Sequence, residues 1–362
     1  RRELPPFDKV AAAQTAFRAE PAAIPRHVKT RPLKDLSWST LRLWRDCPYR
    51  TLLERGLALR AEEEVRDEFG KKEYGSIVHA VLAEVLAEGH ACREALTEGD
   101  VEGATSLLNE AARDAFLPGA AELPVRRLWL ESFLRIVPML ASTEAKRMAE
   151  WTPAALEVGF ELPLVRLVDW VRDRAAALDI EPAVALPAEL PAYADTVVLK
   201  GVVDRVDRAV AGDSSAVIDY KTGNVPANKR VLELEDLQLP MYALAVETGA
   251  VSGTAGPVGE GFFYNLDEKT FGPTLNRGNP PLDGDDELLV HAAFELVRLA
   301  LGAADPDAVH PLLPRAAAGE VSGALPCKWC DLRGSCRIEE RCPTPAVAVQ
   351  LDKIVNAREV TG

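Results

Sequence analysis

Apolar residues recur at two different periods along this chain, and the change of period divides it. After Ser37, a residue suited to cap a helix, Leu41, Leu43 and Trp44 open a helical pattern that runs through Leu52 and Leu53. From Gly75 to Leu86, Ile77, Val78, Val81, Leu82, Val85 and Leu86 return every three or four positions. Val101 to Phe116 and Arg126 to Trp151 continue in the same way, the latter through Leu130, Phe133, Leu134, Val137 and Leu140, so residues 75–152 are expected to be helical throughout. The period then shortens. Leu156 to Val165, between prolines, alternates as a strand does, and Thr196 to Val206 is β-branched around a central glycine. Ala216 to Tyr220 is a short apolar run, joined to the preceding strand by a turn at Gly212-Asp213. A helix over Asp236–Glu247, a strand over Gly261–Leu266 and an amphipathic helix over Asp285–Leu301 follow, with no internal repeat.

The 362 residues are 48% hydrophobic and 27% charged, enough for one large or two ordinary domains and for a sizeable core. Residues 1–35, rich in Pro, Ala and charge, are expected to be an arm or linker, and the chain's start at Arg1 fits a domain of a longer protein. No apolar run suits a signal peptide or a membrane span, so a soluble cytoplasmic protein is expected. A net charge of −14 argues against a protein that coats DNA by charge alone. It leaves room for local basic faces, and two stretches are candidates: Arg26, Lys29, Arg31, Lys34, Arg42, Arg45, Arg50 and Arg55, and then Lys221, Lys229 and Arg230.

Two of the strand patterns end in acids: Gly201-Val202-Val203-Asp204-Arg205-Val206-Asp207, and Ala216-Val217-Ile218-Asp219-Tyr220-Lys221-Thr222-Gly223. Adjacent strands of this kind present Asp204 and Asp219 side by side. Two carboxylates so close repel unless a cation lies between them, and hard oxygen ligands suit Mg2+ or Mn2+. Lys221 lies two residues after Asp219, on the same face of its strand, where an ammonium can meet a phosphate or an attacking water. Together these groups have the makings of a phosphodiester hydrolase. His79 lies four residues after Gly75, a small residue that lets the helix start approach the sheet, and its imidazole is a candidate metal ligand. Gln238 and Tyr242 share a helix face otherwise made of Leu and Met, and are candidates to orient the lysine or a phosphate.

In order, Gly75-x-x-x-His79, Gly201-x-x-Asp204-Arg205-x-Asp207, Asp219-Tyr220-Lys221-Thr222-Gly223 and Gln238-x-x-x-Tyr242 resemble the nuclease domain of RecB/AddB-type helicase–nucleases, within the PD-(D/E)XK superfamily. Each motif alone is weak; the ordered set is specific, and with the cysteines the resemblance runs from about residue 37 to residue 342. It implies that His79, Asp204, Asp219 and the backbone carbonyl of Tyr220 bind the metal, that Lys221 is catalytic, and that Gln238 and Tyr242 support it. Asp207 is either a neighbour of the site or the partner of an arginine. The proline of the superfamily's name is Val203 here, and the RecB-like branch usually carries a hydrophobic residue at that place.

Six cysteines in a long chain without a secretion signal do not form a disulfide framework. Cys327-x2-Cys330-x5-Cys336 has the spacing of metal ligands, and Cys47, Cys342 and Cys92 are the candidates for a fourth. The AddB-like branch draws its fourth ligand from far upstream, so the resemblance implies a [4Fe–4S] cluster on Cys47, Cys327, Cys330 and Cys336. Such a cluster would staple the segment before the nuclease core to the segment after it, closing a long loop. A structural Zn2+ on the same thiolates is the alternative, and free thiols are a further one.

The expected fold is α/β: a restriction-endonuclease-like core of small mixed sheet and flanking helices, spanning residues 36–342. A helical insertion occupies about 90–150, the cysteine cluster 324–342 and a tail 343–362. The expected activity is Mg2+- or Mn2+-dependent DNA cleavage. The resemblance implies an exonuclease working with a helicase domain or subunit in double-strand-break repair and recombination. A stand-alone iron–sulfur exonuclease of the CRISPR-adaptation type shares this chemistry. A catalytically silent DNA-binding or scaffolding module would normally have lost an acid or the lysine, and a zinc-ribbon binding protein leaves the acids unexplained.

Overall fold

The computed structural model describes residues 33–59, 70–118, 120, 123–181, 185–223, 225–226, 228–254, 256–266, 286–308, 327, 330–332 and 336. The elements are β1 (Asp35–Leu36), α1 (Trp38–Asp46), α2 (Pro48–Thr51, continued by a π turn over Leu52–Gly56), α3 (Lys71–Val85), α4 (Ala91–Glu98), α5 (Val101–Phe116), α6 (Val125–Met148), β2 (Trp151–Pro163), α7 (Leu164–Leu178), β3 (Val198–Ala209), β4 (Ser215–Lys221), α8 (Asn228–Leu232), α9 (Gln238–Glu247), β5 (Val258–Asn265) and α10 (Asp286–Ala304). The expected arm and the C-terminal tail fall outside the described residues, apart from residues 33–35 of the arm. The chain divides into two compact units, one of residues 1–64 with 299–362 and one of residues 65–298.

In the larger unit, β2, β3, β4 and β5 lie side by side. β2 and β4 run antiparallel to β3, and β5 runs parallel to β4, so the sheet is mixed. The β3–β4 register pairs Arg205 with Ile218 and Val206 with Val217, closed by a turn in which Gly212 takes a positive φ of 101° that a side chain would strain. Helices α3 to α6 pack into one apolar cluster with Ile218, Tyr220, Phe262 and Tyr264 of the sheet. That cluster is the helical region anticipated from the 3.6-residue period.

Several element boundaries differ from the sequence expectation. The helix expected to reach Trp151 ends at Met148, and Trp151 already pairs with Ala209 as the first residue of β2. At the other end, β2 stops at Pro163, and Leu164 and Val165, expected in the strand, begin helix α7, which the sequence expectation lacks. Proline has no N–H to give a strand partner and suits a helix start. The helix expected from Asp236 begins at Gln238, because Asp236 stands before it and accepts the Gln238 N–H at 3.1 Å.

Beneath the sheet lies a buried ion network. Arg205 is fully buried and donates to Glu144 of α6 at 2.8 Å, to the Tyr220 hydroxyl at 3.1 Å, and to both oxygens of Asp207, at 2.5 and 3.0 Å. Arg147 of α6 reaches Asp207 at 2.7 Å and lies over the rings of Trp151 and Phe262. Asp207 is thus an arginine partner. The network ties α6 to β3 and β4 at named atoms, and a buried charge left without its partner is costly. Replacing Arg205 with Ala is expected to cost about 3–5 kcal/mol of stability, read as a lower urea midpoint of the metal-free chain; an unchanged midpoint would show that the network carries no stability.

In the smaller unit, Ser37 caps α1, its hydroxyl accepting the Thr40 N–H at 3.3 Å. Cys47 ends α1 and precedes α2, whose first residue is Pro48. Gly302 of α10 lies against Trp44, where an added Cβ would sit 3.1 Å from the indole nitrogen.

Candidate metal and phosphodiester site

Five elements of the larger unit converge: α3 with His79, β2 with Glu157, β3 with Asp204, β4 with Asp219 and Lys221, and α9 with Gln238 and Tyr242. Because Arg205 pairs with Ile218, the next residues outward are Asp204 and Asp219, one on each strand. Side chains alternate across a strand, so these two carboxylates share a face while Arg205 and Tyr220 turn to the other. Helix α3 comes close to this end of the sheet. A Cβ on Gly75 would lie 3.0 Å from the Thr222 hydroxyl, so glycine is what permits the approach.

Each carboxylate oxygen has a distinct neighbour. Asp204 accepts the Tyr220 backbone N–H through Oδ2 at 2.7 Å, which turns Oδ1 toward His79 Nδ1, 3.6 Å away. Asp219 is almost fully buried. Its Oδ1 accepts from Gln238 Nε2 at 2.8 Å, and its Oδ2 forms an ion pair with Lys221. Gln238 also donates to the Tyr242 hydroxyl at 3.1 Å, and its Oε1 lies 3.4 Å from Lys221 Nζ. Tyr242 packs edge-on against Phe160, and both crowd Gly201, where an added Cβ would come within 2.6 Å of the Phe160 ring. The structure therefore brings His79, Asp204, Asp219, Lys221, Gln238 and Tyr242 to one place. Tyr220 joins them through its backbone, while its ring is buried on the opposite face.

Sequence reasoning missed Glu157. Its Oε1 lies 3.2 Å from His79 Nδ1, and among the described residues His79, Glu157 and Asp204 form the one group of three whose ligand atoms all lie within 4.8 Å of one another. Glu157 adopts a φ of 45°, in the left-handed region, between register partners Leu156–Arg205 and Val158–Val203 and so level with Asp204. Such a backbone costs a non-glycine residue about 1–3 kcal/mol and persists where its surroundings enforce it. An acid interrupting an apolar strand was the available signal, but its register opposite Asp204 depends on an irregularity between Pro153 and Ala155 that no sequence pattern announces.

The charges do not balance without a cation. Burial, and then the Asp219 carboxylate, push the Asp204 carboxyl up to about 7, and burial also raises that of Asp219 despite the lysine beside it. Burial opposes the charged form of His79, yet the hydrogen bond its Nδ1–H donates to Glu157 and the charge of Asp204 raise its pKa overall. The donor set of an imidazole and carboxylates suits a divalent cation. Neighbouring ligands of an octahedral Mg2+ with bonds near 2.1 Å stand about 3.0 Å apart, close to the 3.2 and 3.6 Å found from His79 to Glu157 and Asp204. The residues fit such an ion.

The sequence matches the family model of the PD-(D/E)XK nuclease superfamily over residues 35–342. The chain belongs to this superfamily. No curated protein matches the sequence. Nucleases of the superfamily typically use divalent metals, and the mixed sheet flanked by helices agrees with a restriction-endonuclease-like fold.

In the smaller unit, Cys47 and Cys327 are buried and Cys330 and Cys336 partly so. Burial raises the thiol pKa values of Cys47 and Cys330, and a Cys330 thiolate would raise that of Cys47 further, which puts the two in electrostatic reach. Cys92 belongs to the helical cluster of the other unit, where its thiol points at the Ala104 carbonyl, 3.7 Å away, and burial pushes its pKa up to about 11. Cys342 lies outside the described residues. Of the basic stretches, Arg26, Lys29 and Arg31 also lie outside. Arg42 and Arg45 pair with Asp46, Arg50 with Glu54, Lys229 with Glu233 and Arg230 with Glu235. The Lys229–Glu233 pair is exposed, and pairs of that kind are weak, whereas Arg45 is buried. No described helix is long and apolar enough to cross a membrane.

Between the unfolded value of about 3.9 and about 7, the folded chain keeps a proton on Asp204 that the unfolded chain releases, so metal-free stability falls as pH rises through that window. His79, with its raised pKa, acts in the same direction. A cation held by the ionised carboxylates reverses the penalty. The rise in melting temperature on adding Mn2+ is therefore expected to grow from about pH 5 to about pH 8, measured by scanning calorimetry against EDTA controls; a rise independent of pH would contradict this.

Proposed function

We propose that this chain is a divalent-metal-dependent deoxyribonuclease that hydrolyses phosphodiester bonds. The observation that carries the reading is the gathering of Asp204, Asp219 and Lys221 on one face of β3 and β4, in a chain that belongs to a nuclease superfamily. Asp204 and Asp219, with His79 and the Tyr220 carbonyl, are the proposed ligands of Mg2+ or Mn2+. When bound, the cation lowers the pKa of water and neutralises charge on the phosphate. Lys221 is proposed as the catalytic ammonium, meeting the charge that builds on the phosphate oxygens as water adds to phosphorus and the bond to the leaving oxygen breaks. Gln238 is proposed to hold Asp219 and Lys221 in their mutual orientation, and Tyr242 to hold Gln238.

The ordered motifs of the RecB/AddB type support a narrower reading: an exonuclease serving a helicase in double-strand-break repair and recombination. The same likeness supports a [4Fe–4S] cluster on Cys47, Cys327, Cys330 and Cys336. The shared unit of these cysteines and the electrostatic reach between Cys47 and Cys330 favour it. Iron and acid-labile sulfide in anaerobically purified protein, lost on Cys330→Ser substitution, are the expected result; zinc in their place would refute the cluster.

Nuclease assays on end-labelled linear single- and double-stranded DNA test the activity. Degradation with Mg2+ or Mn2+, stopped by EDTA and lowered at least about 100-fold by Lys221→Ala and by Asp219→Ala, is expected. Cleavage that survives EDTA, or that Lys221→Ala leaves intact, would contradict the assignment.

A further inference from the structure

We propose that Gly159 and Val202 form the floor of a nucleoside subsite, which takes the base or sugar of the DNA unit next to the phosphate that is cut. This rests on the nuclease reading above and adds to it where the substrate strand lies. Gly159 of β2 and Val202 of β3 are register partners, so they share one face of the sheet. Val202 stands two residues before Asp204, on the same face and about 7 Å from it along the strand. Gly159 and Val202 are both exposed, Val202 by 48%. Their neighbours Phe160, Leu199 and Val203, which turn to the other face, are buried. The ribbon of β2 and β3 thus has one packed face here and one open face. The open face leads to Asp204, in the group with His79 and Glu157.

The glycine is what points to a ligand. Glycine inside a strand weakens it, and it often marks a place where a ligand or another backbone comes close. Gly75 and Gly201 have such neighbours within the chain: the Thr222 hydroxyl for one, the Phe160 and Tyr242 rings for the other. Gly159 has none among the described residues. A Cβ there would meet only the Gly201 carbonyl, at 3.9 Å, which is ordinary contact. Its backbone does not take the positive φ that favours glycine either. The position is bare toward solvent, and beside it lies an apolar side chain. An exposed valine alone is common, but a valine across from a bare glycine makes a flat, uncharged floor. The next register partners on this face, Glu161 and Lys200, pair with each other at 2.7 Å and add little net charge. A surface of this kind suits the apolar flank of a nucleoside rather than a phosphate. DNA is the occupant because the floor is continuous with the acids proposed to hold the metal that cuts it.

The test is cleavage of end-labelled single-stranded oligodeoxythymidylate by the full chain with Mn2+, at two salt concentrations. The native protein is compared with Gly159→Ala and Gly159→Leu, which the fold has room for. Gly159→Leu is expected to raise KM at least about tenfold with kcat unchanged, the mark of lost substrate binding, and Gly159→Ala to fall between it and the native chain. The factor is expected to be the same at both salt concentrations, because the floor touches no phosphate. Free-ion electron paramagnetic resonance should show native Mn2+ affinity in both variants, and neither should melt below the native chain without DNA. A native KM in Gly159→Leu would overturn the subsite and leave the nuclease reading standing. A lower melting temperature in that variant without DNA would mean that another segment of this chain packs on the floor, and would overturn the subsite too. A native chain that cuts no DNA with Mn2+ would overturn both.

Discussion

The register between β3 and β4 is the constraint on which the rest depends. Pairing Arg205 with Ile218 sends Asp204 and Asp219 to one face and Arg205 and Tyr220 to the other. A slip of one residue would exchange the faces, putting a guanidinium where the site needs a carboxylate and an acid where the core needs a cation. Two otherwise separate features hold this register. The Gly212 turn sets the strand pairing, and the Arg205–Asp207–Glu144 network fixes β3 against α6. The buried ions below the sheet and the carboxylates above it are consequences of one alternation along a single strand.

The two faces solve their electrostatics differently. Beneath the sheet, each buried charge named meets an opposite one within the chain, so that side needs no ligand. On the site face, three carboxylates gather around one imidazole and one lysine, and burial lifts the Asp204 carboxyl toward neutrality. This surplus of negative charge disfavours the metal-free chain and favours a bound cation. A nuclease gains from that arrangement, because the same charge that costs stability supplies affinity for the ion and sets a lysine beside the place where a phosphate would approach.

Much of this was legible in the sequence because it rests on local periodicity. The switch from a 3.6-residue to a 2-residue period separates the helices of residues 71–148 from the sheet. Asp219 and Lys221 stand out as charges at the end of one apolar strand, and Asp204 as a charge that was expected to end another but lies within β3. Gln238 and Tyr242 were visible as polar residues on an apolar helix face. What was hidden depends on register and on distance along the chain. Glu157 meets His79 across 78 positions, through a strand irregularity. Glu144 and Arg147 meet Arg205 and Asp207 across about sixty. The charges in Asp204-Arg205-Val206-Asp207 gave a hint, since a charge inside a β-branched strand calls for a partner, but nothing local named it. Helix α7 escaped notice because prolines flank the preceding strand pattern and the helix starts directly at Pro163 without a capping side chain.

The central claim is that this constellation holds a divalent cation beside Lys221. The most direct measurement is the anomalous scattering of Mn2+ in crystals of the full chain grown with the metal. An anomalous peak bonded to Asp204 and His79, within reach of the Asp219–Lys221 pair, is the predicted result. Crystals saturated with Mn2+ that show no peak there, with Asp204 and Asp219 unchanged around an empty site, would contradict it.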